Sequence, residues 1–183
     1  YLFLPRVGAI QRGDPPAVEE GTSLYFFDCA SLLRSNSHGF PEKITRVNID
    51  HHGDNPLYGE LNLVDVSAPS TTAILYEICR AGDLPLSPEA ALGLYVGLVT
   101  DTGRFQYSNT SPAAHRLAAE LQEAGVDVAS VYRLVYESTP LPKLLLLGRA
   151  LTHLEVRLEG NLAVSWLGNG DFAQAGADEG HAE

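Results

Sequence analysis

The sequence predicts an α/β protein: an open, mostly parallel sheet flanked by helices, followed by the start of a smaller α/β C-terminal domain. Three observations predict it. Short apolar runs end in acids (SLYFFD at 23–28 and TRVNID at 45–50), as buried parallel strands do when functional groups sit at their carboxyl ends. Segments with helical apolar stripes follow these runs, the pattern of α/β layering. After Tyr136 the character changes to a connector holding Pro140 and Pro142, a helix and one alternating hairpin.

Taken in order, Ser23–Asp28 is the first strand and Thr45–Asp50 the second, with a short helix and loop expected in SLLRSNSHGFPEK between them. Leu61–Val64 is a third extended segment. Beyond Pro69 a helix runs over about Ser70–Ala81, with Ile74, Leu75 and Ile78 on one stripe and Gly82 as its stop. Pro88 stands near the start of the next helix, whose stripe is Ala91, Leu94, Tyr95 and Leu98 and which runs into TDTGRF. Ser111-Pro112 opens a third helix that closes at Gly125, and Asp127 caps a fourth. A helix extends from the connector to about His153, then VRLEGNLAVSWL reads as a hairpin around Glu159-Gly160-Asn161. No closing element is expected in DFAQAGADEGHAE.

The 183 residues suit one large domain, or one domain and part of another. A hydrophobic share of 45% against 19% charged residues describes a chain that buries a core, not a disordered one. Apolar runs such as Leu144–Leu147 are far too short to span a bilayer, and no secretory leader is visible. Cys29 and Cys79 lie in apolar segments, which points to reduced thiols and a cytoplasmic protein. The net charge of −11 argues against duplex DNA as a partner, though not against a small nucleic-acid substrate whose charge is met by metal ions. The chain contains no methionine, so Tyr1 is not expected to be its original start.

Chemistry concentrates at Asp28, at Asp50-His51-His52 and at Asp101. Carboxylates and imidazoles without thiolates suit Mn²⁺, Mg²⁺ or Zn²⁺ in a hydrolytic site with open positions. Phosphoester hydrolysis needs an acidified water and an offset for charge growing on the phosphoryl oxygens, which such ions supply. Each residue alone has a plainer reading: Asp28 as a turn or helix cap, the histidine pair as solvated or packed, Asp101 as a turn residue before Gly103.

The combination is more specific. NIDHHGDN (48–55), SAPSTTAILYEI (67–78) and GLVTDTGRFQYSNTSP (97–112) resemble the DHH-family phosphoesterases. Within them the chain is most similar to bacterial oligoribonucleases that also act as 3′,5′-bisphosphate nucleotide phosphatases, and RLVYESTPLPKLLLLGRAL (133–151) extends the likeness. The resemblance implies that Asp28 bridges two metals and that His51 and Asp101 bind one of them. It gives His52 and Asp50 catalytic duties: His52 reaches the substrate phosphate or positions a neighbour, and Asp50 orients the imidazoles. In RFQYSNT, Arg104, Tyr107 and Asn109 are candidates for substrate or structural contacts, and Gln106 stands where the family often has Arg. Ser70, Thr71 and Thr72 serve as caps, or aim a helix N-terminus at the metal site and its anionic ligands. His38, His115 and His153 fall outside these motifs and are read as surface or packing residues.

The same resemblance implies a two-metal Mn²⁺ site, with Mg²⁺ as an alternative. The expected substrates are short oligoribonucleotides and 3′-phosphoadenosine 5′-phosphate. It allows a homodimer. Residues 1–136 correspond to a DHH domain without its first Asp-x-Asp motif, 137–153 to a connector helix, and 154–183 to an incomplete start of a DHHA1-like substrate-binding domain. Gly180-His181 is not the Gly-Gly-Gly-His signature of that domain. This chain by itself is therefore expected to bind one metal weakly and to turn over little. Other readings are a cyclic or linear dinucleotide phosphodiesterase, a RecJ-like single-strand exonuclease, a polyphosphate or pyrophosphate hydrolase, and a non-catalytic nucleotide-binding module.

Overall fold

The computed structural model describes residues 1–11, 13, 17–35, 40–41 and 43–182. The chain divides into two compact units, Tyr1–Val131 and Tyr132–Glu183.

In the first unit β1 (Ser23–Phe27), β2 (Thr45–Asp50) and β3 (Leu61–Val64) form a parallel sheet in that order. Phe27, Ile49 and Leu63 stand in register, so the three strands end together along one edge. The ladder runs one residue further on each side: Asp28 N donates to Ile49 O at 3.1 Å and Asp65 N to Asp50 O at 3.0 Å. Phe26, Asn48 and Asp50 are buried on one face, while Tyr25, Phe27, Leu61 and Leu63 on the other stay exposed. Between β1 and β2 the expected short helix is a 3-10 turn over Leu32–Ser35, and residues 36–39, His38 among them, lie outside those described.

Three helices follow: α1 (Thr71–Ala81), α2 (Pro88–Asp101) and α3 (Pro112–Glu123). Each opens the same way. Ser70, Ser87 and Ser111 accept from the backbone N–H of Ala73, Ala90 and Ala114 at 3.1, 3.2 and 3.3 Å. Such a cap contributes about 1 kcal/mol. Pro88 and Pro112 occupy the first turn, where a missing N–H costs nothing. The α2 helix packs against both α1 and α3, so Val96 and Val99 are buried as well as the stripe at Ala91, Leu94, Tyr95 and Leu98. Close approach of α1 to α2 requires Gly97, where a Cβ would lie 2.4 Å from Thr72 Cγ2. Asp127 Oδ1 then accepts from Ser130 N at 3.3 Å and caps α4 (Val128–Tyr132).

The second unit begins earlier than the change of character at Tyr136, and includes the Tyr132–Tyr136 ring pair with centroids 5.5 Å apart. A π-type turn over Arg133–Glu137 leads to α5 (Leu141–Thr152), which starts behind Pro140. The hairpin of β4 (Glu155–Arg157) and β5 (Leu162–Val164) turns through Leu158, Glu159 and Gly160, all with positive φ. One expectation fails here. DFAQAGADEGHAE does contain a closing element, because α6 (Asn169–Ala175) packs on α5. Asp171 Oδ2 accepts from Gly168 N at 2.9 Å to start it, and Gly176 at φ 61° ends it. His153 stacks on Trp166 at 5.4 Å and His115 of the first unit on Phe105 at 5.0 Å, so both are packing residues as expected. Among the described residues no helix is long and apolar enough to cross a membrane.

Candidate metal centre

The chain leaves β1 through Asp28 at φ 55°, a left-handed conformation that Asp tolerates better than most residues. There Asp28 Oδ1 lies 3.6 Å from His51 Nε2 and 3.9 Å from His52 Nδ1, both at the end of β2. Asp101, the last residue of α2, brings its Oδ2 to 3.8 Å from the same His51 Nε2. Asp28, His51 and His52 offer atoms that all lie within 4.8 Å of one another. Residues far apart in sequence thus meet at the carboxyl edge of the sheet, where ligands of open α/β sheets gather.

Hydrogen bonds fix the rings. His51 Nδ1 sits 3.3 Å from Ala68 O, and a carbonyl only accepts, so Nδ1 carries the proton. In that tautomer the Nε2 lone pair faces the two carboxylates. His52 Nδ1 donates to Asp50 Oδ1 at 2.7 Å. That oxygen also accepts the backbone N–H of His51 at 2.8 Å and of His52 at 3.3 Å, while Asp50 Oδ2 accepts from Asn55 Nδ2 at 2.6 Å. Asp50 accordingly orients His52 alone, not both imidazoles: its second oxygen is taken by Asn55, and the His51 ring finds a backbone carbonyl instead.

Burial opposes charge on Asp50, yet the hydrogen bonds from His52, Asn55 and the two backbone groups outweigh it and hold its carboxyl below the usual range. The bond to Asp50 raises His52 above the ordinary imidazole value, against burial and with help from the charges of Asp50, Asp28 and Asp54. Burial, and then the charge of Asp28, push the Asp101 carboxyl up, with His51 and His52 opposing. Carboxylates converging on one imidazole are an arrangement that a cation stabilises.

The start of α1 divides its polar groups between the helix and Asp28. Ser70 is the cap, and Thr71 Oγ1 donates to Asp28 Oδ1 at 2.9 Å, so the helix N-terminus meets the site through a side chain. After α2, Gly103, Arg104 and Phe105 take φ of 54°, 62° and 62°. Gly103 is required there twice over, since a Cβ would also lie 2.4 Å from the Tyr107 ring. Arg104 and Tyr107 are exposed on this turn, Tyr107 at 63%. Asn109 is built into the frame: its Nδ2 donates to Pro69 O and to Asp101 O, each at 3.0 Å, tying the approach to α1 to the end of α2.

Sequence reasoning passed over Asn48, Asn55, Tyr58 and the Ala68 carbonyl. Asn55 connects the buried Asn48 to Asp50, and Tyr58 donates to Cys29 O at 2.9 Å. The signal was Asn48 itself: an amide in the middle of a buried strand must find partners.

The donor set of two carboxylate oxygens and one imidazole lone pair fits a divalent ion such as Mn²⁺, Mg²⁺ or Zn²⁺. No family model matches the chain. The bifunctional oligoribonuclease and PAP phosphatase NrnA of Thermus thermophilus is 32% identical over 179 residues, which are 97% of this chain and 53% of that protein. The protein of the same name from Bacillus subtilis is 32% identical over 122 residues, 65% of this chain and 39% of its own length. This chain thus spans about half the length of the Thermus relative or less of the Bacillus one. Among solved structures, an exopolyphosphatase-related protein from Bacteroides fragilis superposes with a TM-score of 0.78 at 26% identity, over 88% of this chain and 49% of that one. Similarity along nearly the whole chain and a shared fold agree with the geometry at the strand ends: the chain belongs to the DHH-family phosphoesterases.

Proposed function

We propose that the protein containing this chain is a manganese-dependent phosphoesterase that hydrolyses short oligoribonucleotides, 3′-phosphoadenosine 5′-phosphate, or both. The observation that carries this reading is the convergence of Asp28 Oδ1 and Asp101 Oδ2 on His51 Nε2, at 3.6 and 3.8 Å, while Nδ1 is engaged elsewhere. The names of the Thermus and Bacillus relatives support the substrate class.

In this reading Asp28, His51 and Asp101 are the residues that would hold the metal. A bound divalent ion supplies Lewis acidity toward the phosphoryl oxygens and lowers the pKa of water. Thr71 restrains the Asp28 carboxylate through its hydroxyl, and the Ala68 carbonyl keeps His51 in the tautomer that leaves Nε2 free. His52, held at Nδ1 by Asp50, keeps Nε2 for a phosphoryl or leaving-group oxygen. Arg104 and Tyr107 contact the substrate, and the second unit begins the nucleotide-binding domain.

The test is hydrolysis of a ribonucleotide dimer, of 3′-phosphoadenosine 5′-phosphate and of pyrophosphate by the full-length protein with Mn²⁺ or Mg²⁺, beside an Asp101→Ala variant. Turnover of a nucleotide substrate that the variant loses is the expected result. Turnover of pyrophosphate alone would replace the substrate assignment, and a folded protein that binds nucleotide without hydrolysing it would refute the enzyme.

A further inference from the structure

We propose that Asn55, backed by Asn48, is a positioning residue for His52: acting through Asp50, it holds one imidazole tautomer toward the site. The inference deepens the phosphoesterase reading and rests on it for the activity readout.

Asn48 lies in mid-β2 with no exposed surface, in register with Phe26 and Asn62. An amide there destabilises the fold unless its groups are bonded. Its Nδ2 donates to Asn55 Oδ1 at 2.9 Å and to Asn62 Oδ1 at 3.1 Å, and its Oδ1 accepts from Asn55 Nδ2 at 3.3 Å. The orientation of the Asn55 amide follows from its surroundings. Asn55 Oδ1 also meets the backbone N–H of Leu57 at 2.9 Å, which can only donate, so the NH₂ must face Asp50.

The consequence runs along the chain of bonds. Asn55 Nδ2 occupies Asp50 Oδ2 at 2.6 Å, leaving Asp50 Oδ1 for His52 Nδ1 at 2.7 Å and for the two backbone groups. Rotating the buried carboxylate would break these bonds together. Nδ1 of His52 therefore always meets an acceptor, and in the neutral ring the lone pair resides on Nε2. Apolar residues of the same shape at 48 and 55 would remove the bonds between the two amides but leave the buried Asp50 Oδ2 without its donor. What only the amides provide is a fixed Asp50.

The experiment reads tautomers directly. In ¹⁵N-labelled metal-free wild-type protein, at a pH where the ring is neutral, His52 is expected to show the Nδ1–H pattern. Asn55→Ala is expected to show mixed tautomers and a loss of kcat of about 10–100-fold with metal present. Asn62→Ala removes a bond to Asn48 and the Asn62–Gly59 turn contacts without reaching Asp50. It should lower Tm while keeping the tautomer and kcat. A wild-type His52 protonated at Nε2 overturns the proposal even if Asn55→Ala does not fold. So does an Asn55→Ala protein that keeps both signatures, or an Asn62→Ala protein that loses both. A wild-type protein without hydrolytic activity sinks the phosphoesterase reading, while the tautomer pattern still decides this one.

Discussion

Substituting Gly97→Ala tests whether the α1–α2 contact sets the metal centre. The added Cβ would lie 2.4 Å from Thr72 Cγ2 and 2.9 Å from Thr72 Oγ1, against an ordinary carbon–carbon separation of about 3.5–4.0 Å. Something must move by about 1 Å. If Thr72 rotates, it gives up its 2.8 Å bond to Ser70 Oγ; if α1 moves, Thr71 is carried away from Asp28. Overpacking of this kind costs about 1–3 kcal/mol. Alanine recovers about 1 kcal/mol of helix propensity over glycine. The net loss is therefore about 0–2 kcal/mol, or a Tm lower by up to about 8 °C for a chain of this size. The site should suffer more than the fold, because a shift of about 1 Å in a catalytic group can cost about 100-fold. Calorimetric Mn²⁺ binding and thermal melts on the same samples would separate the two. Thr72→Ser removes the 2.4 Å clash, so combining it with Gly97→Ala should restore part of the affinity. Unchanged metal affinity in Gly97→Ala, or a double variant no better than the single, would refute the coupling.

Thr71→Val keeps the shape but removes the donor to Asp28, so stability should change by only about 1 kcal/mol. Divalent-ion affinity should fall about 10–100-fold, with Thr71→Ser close to wild type in the same titration. Gly103→Ala combines a left-handed φ of 54° with a clash against the Tyr107 ring. It should destabilise by about 1–3 kcal/mol in urea unfolding, and adding Tyr107→Ala should relieve the steric part alone. The Asp65 carboxyl is held below its ordinary value of 3.8, chiefly by the Ser67 hydroxyl and then by the Ser67 backbone N–H. A group depressed in the folded state stabilises above its unfolded pKa and loses that contribution as pH falls through the folded one. Melts across pH should show Asp65→Asn less stable than wild type near neutrality, the gap closing below about pH 3.8. A gap that widens in acid would reverse the assignment.

The legible parts of the fold were those governed by local rules. Acid-terminated apolar runs became β1 and β2 with Asp28 and Asp50 at their ends, and the three Ser-capped helices start where their serines stand. The short α6 was not legible, because its apolar content is slight and its start depends on Asp171 folding back on Gly168. At the site, sequence supplied the residue types while tertiary contacts set their work. That His51 is held by Ala68 O rather than by Asp50 depends on a loop residue 17 positions away. That Asn109 braces two backbone carbonyls depends on where Pro69 passes the end of α2. No spacing rule reports either.

The centre also shows where such a site spends conformational freedom. Asp28 and the run Gly103–Phe105 all take φ between 54° and 62°, and they stand next to the two carboxylates that approach His51. A left-handed non-glycine residue costs about 1–2 kcal/mol, less for Asp, so this strain persists only because other contacts impose it. Around Asp28 those contacts are the backbone bond to Ile49 and the Thr71 hydroxyl; beyond Asp101 they are the Thr102 hydroxyl, which accepts from Phe105 N at 3.2 Å, and the Asn109 amide. Ile49 lies in β2, Thr71 opens α1, Thr102 follows α2 with its hydroxyl on Leu98 O, and Asn109 bonds the Asp101 carbonyl at the end of α2. Carboxylates that repel one another in the absence of a cation are thus kept in place by the core rather than by each other, which is what lets the donor set exist before the ion arrives.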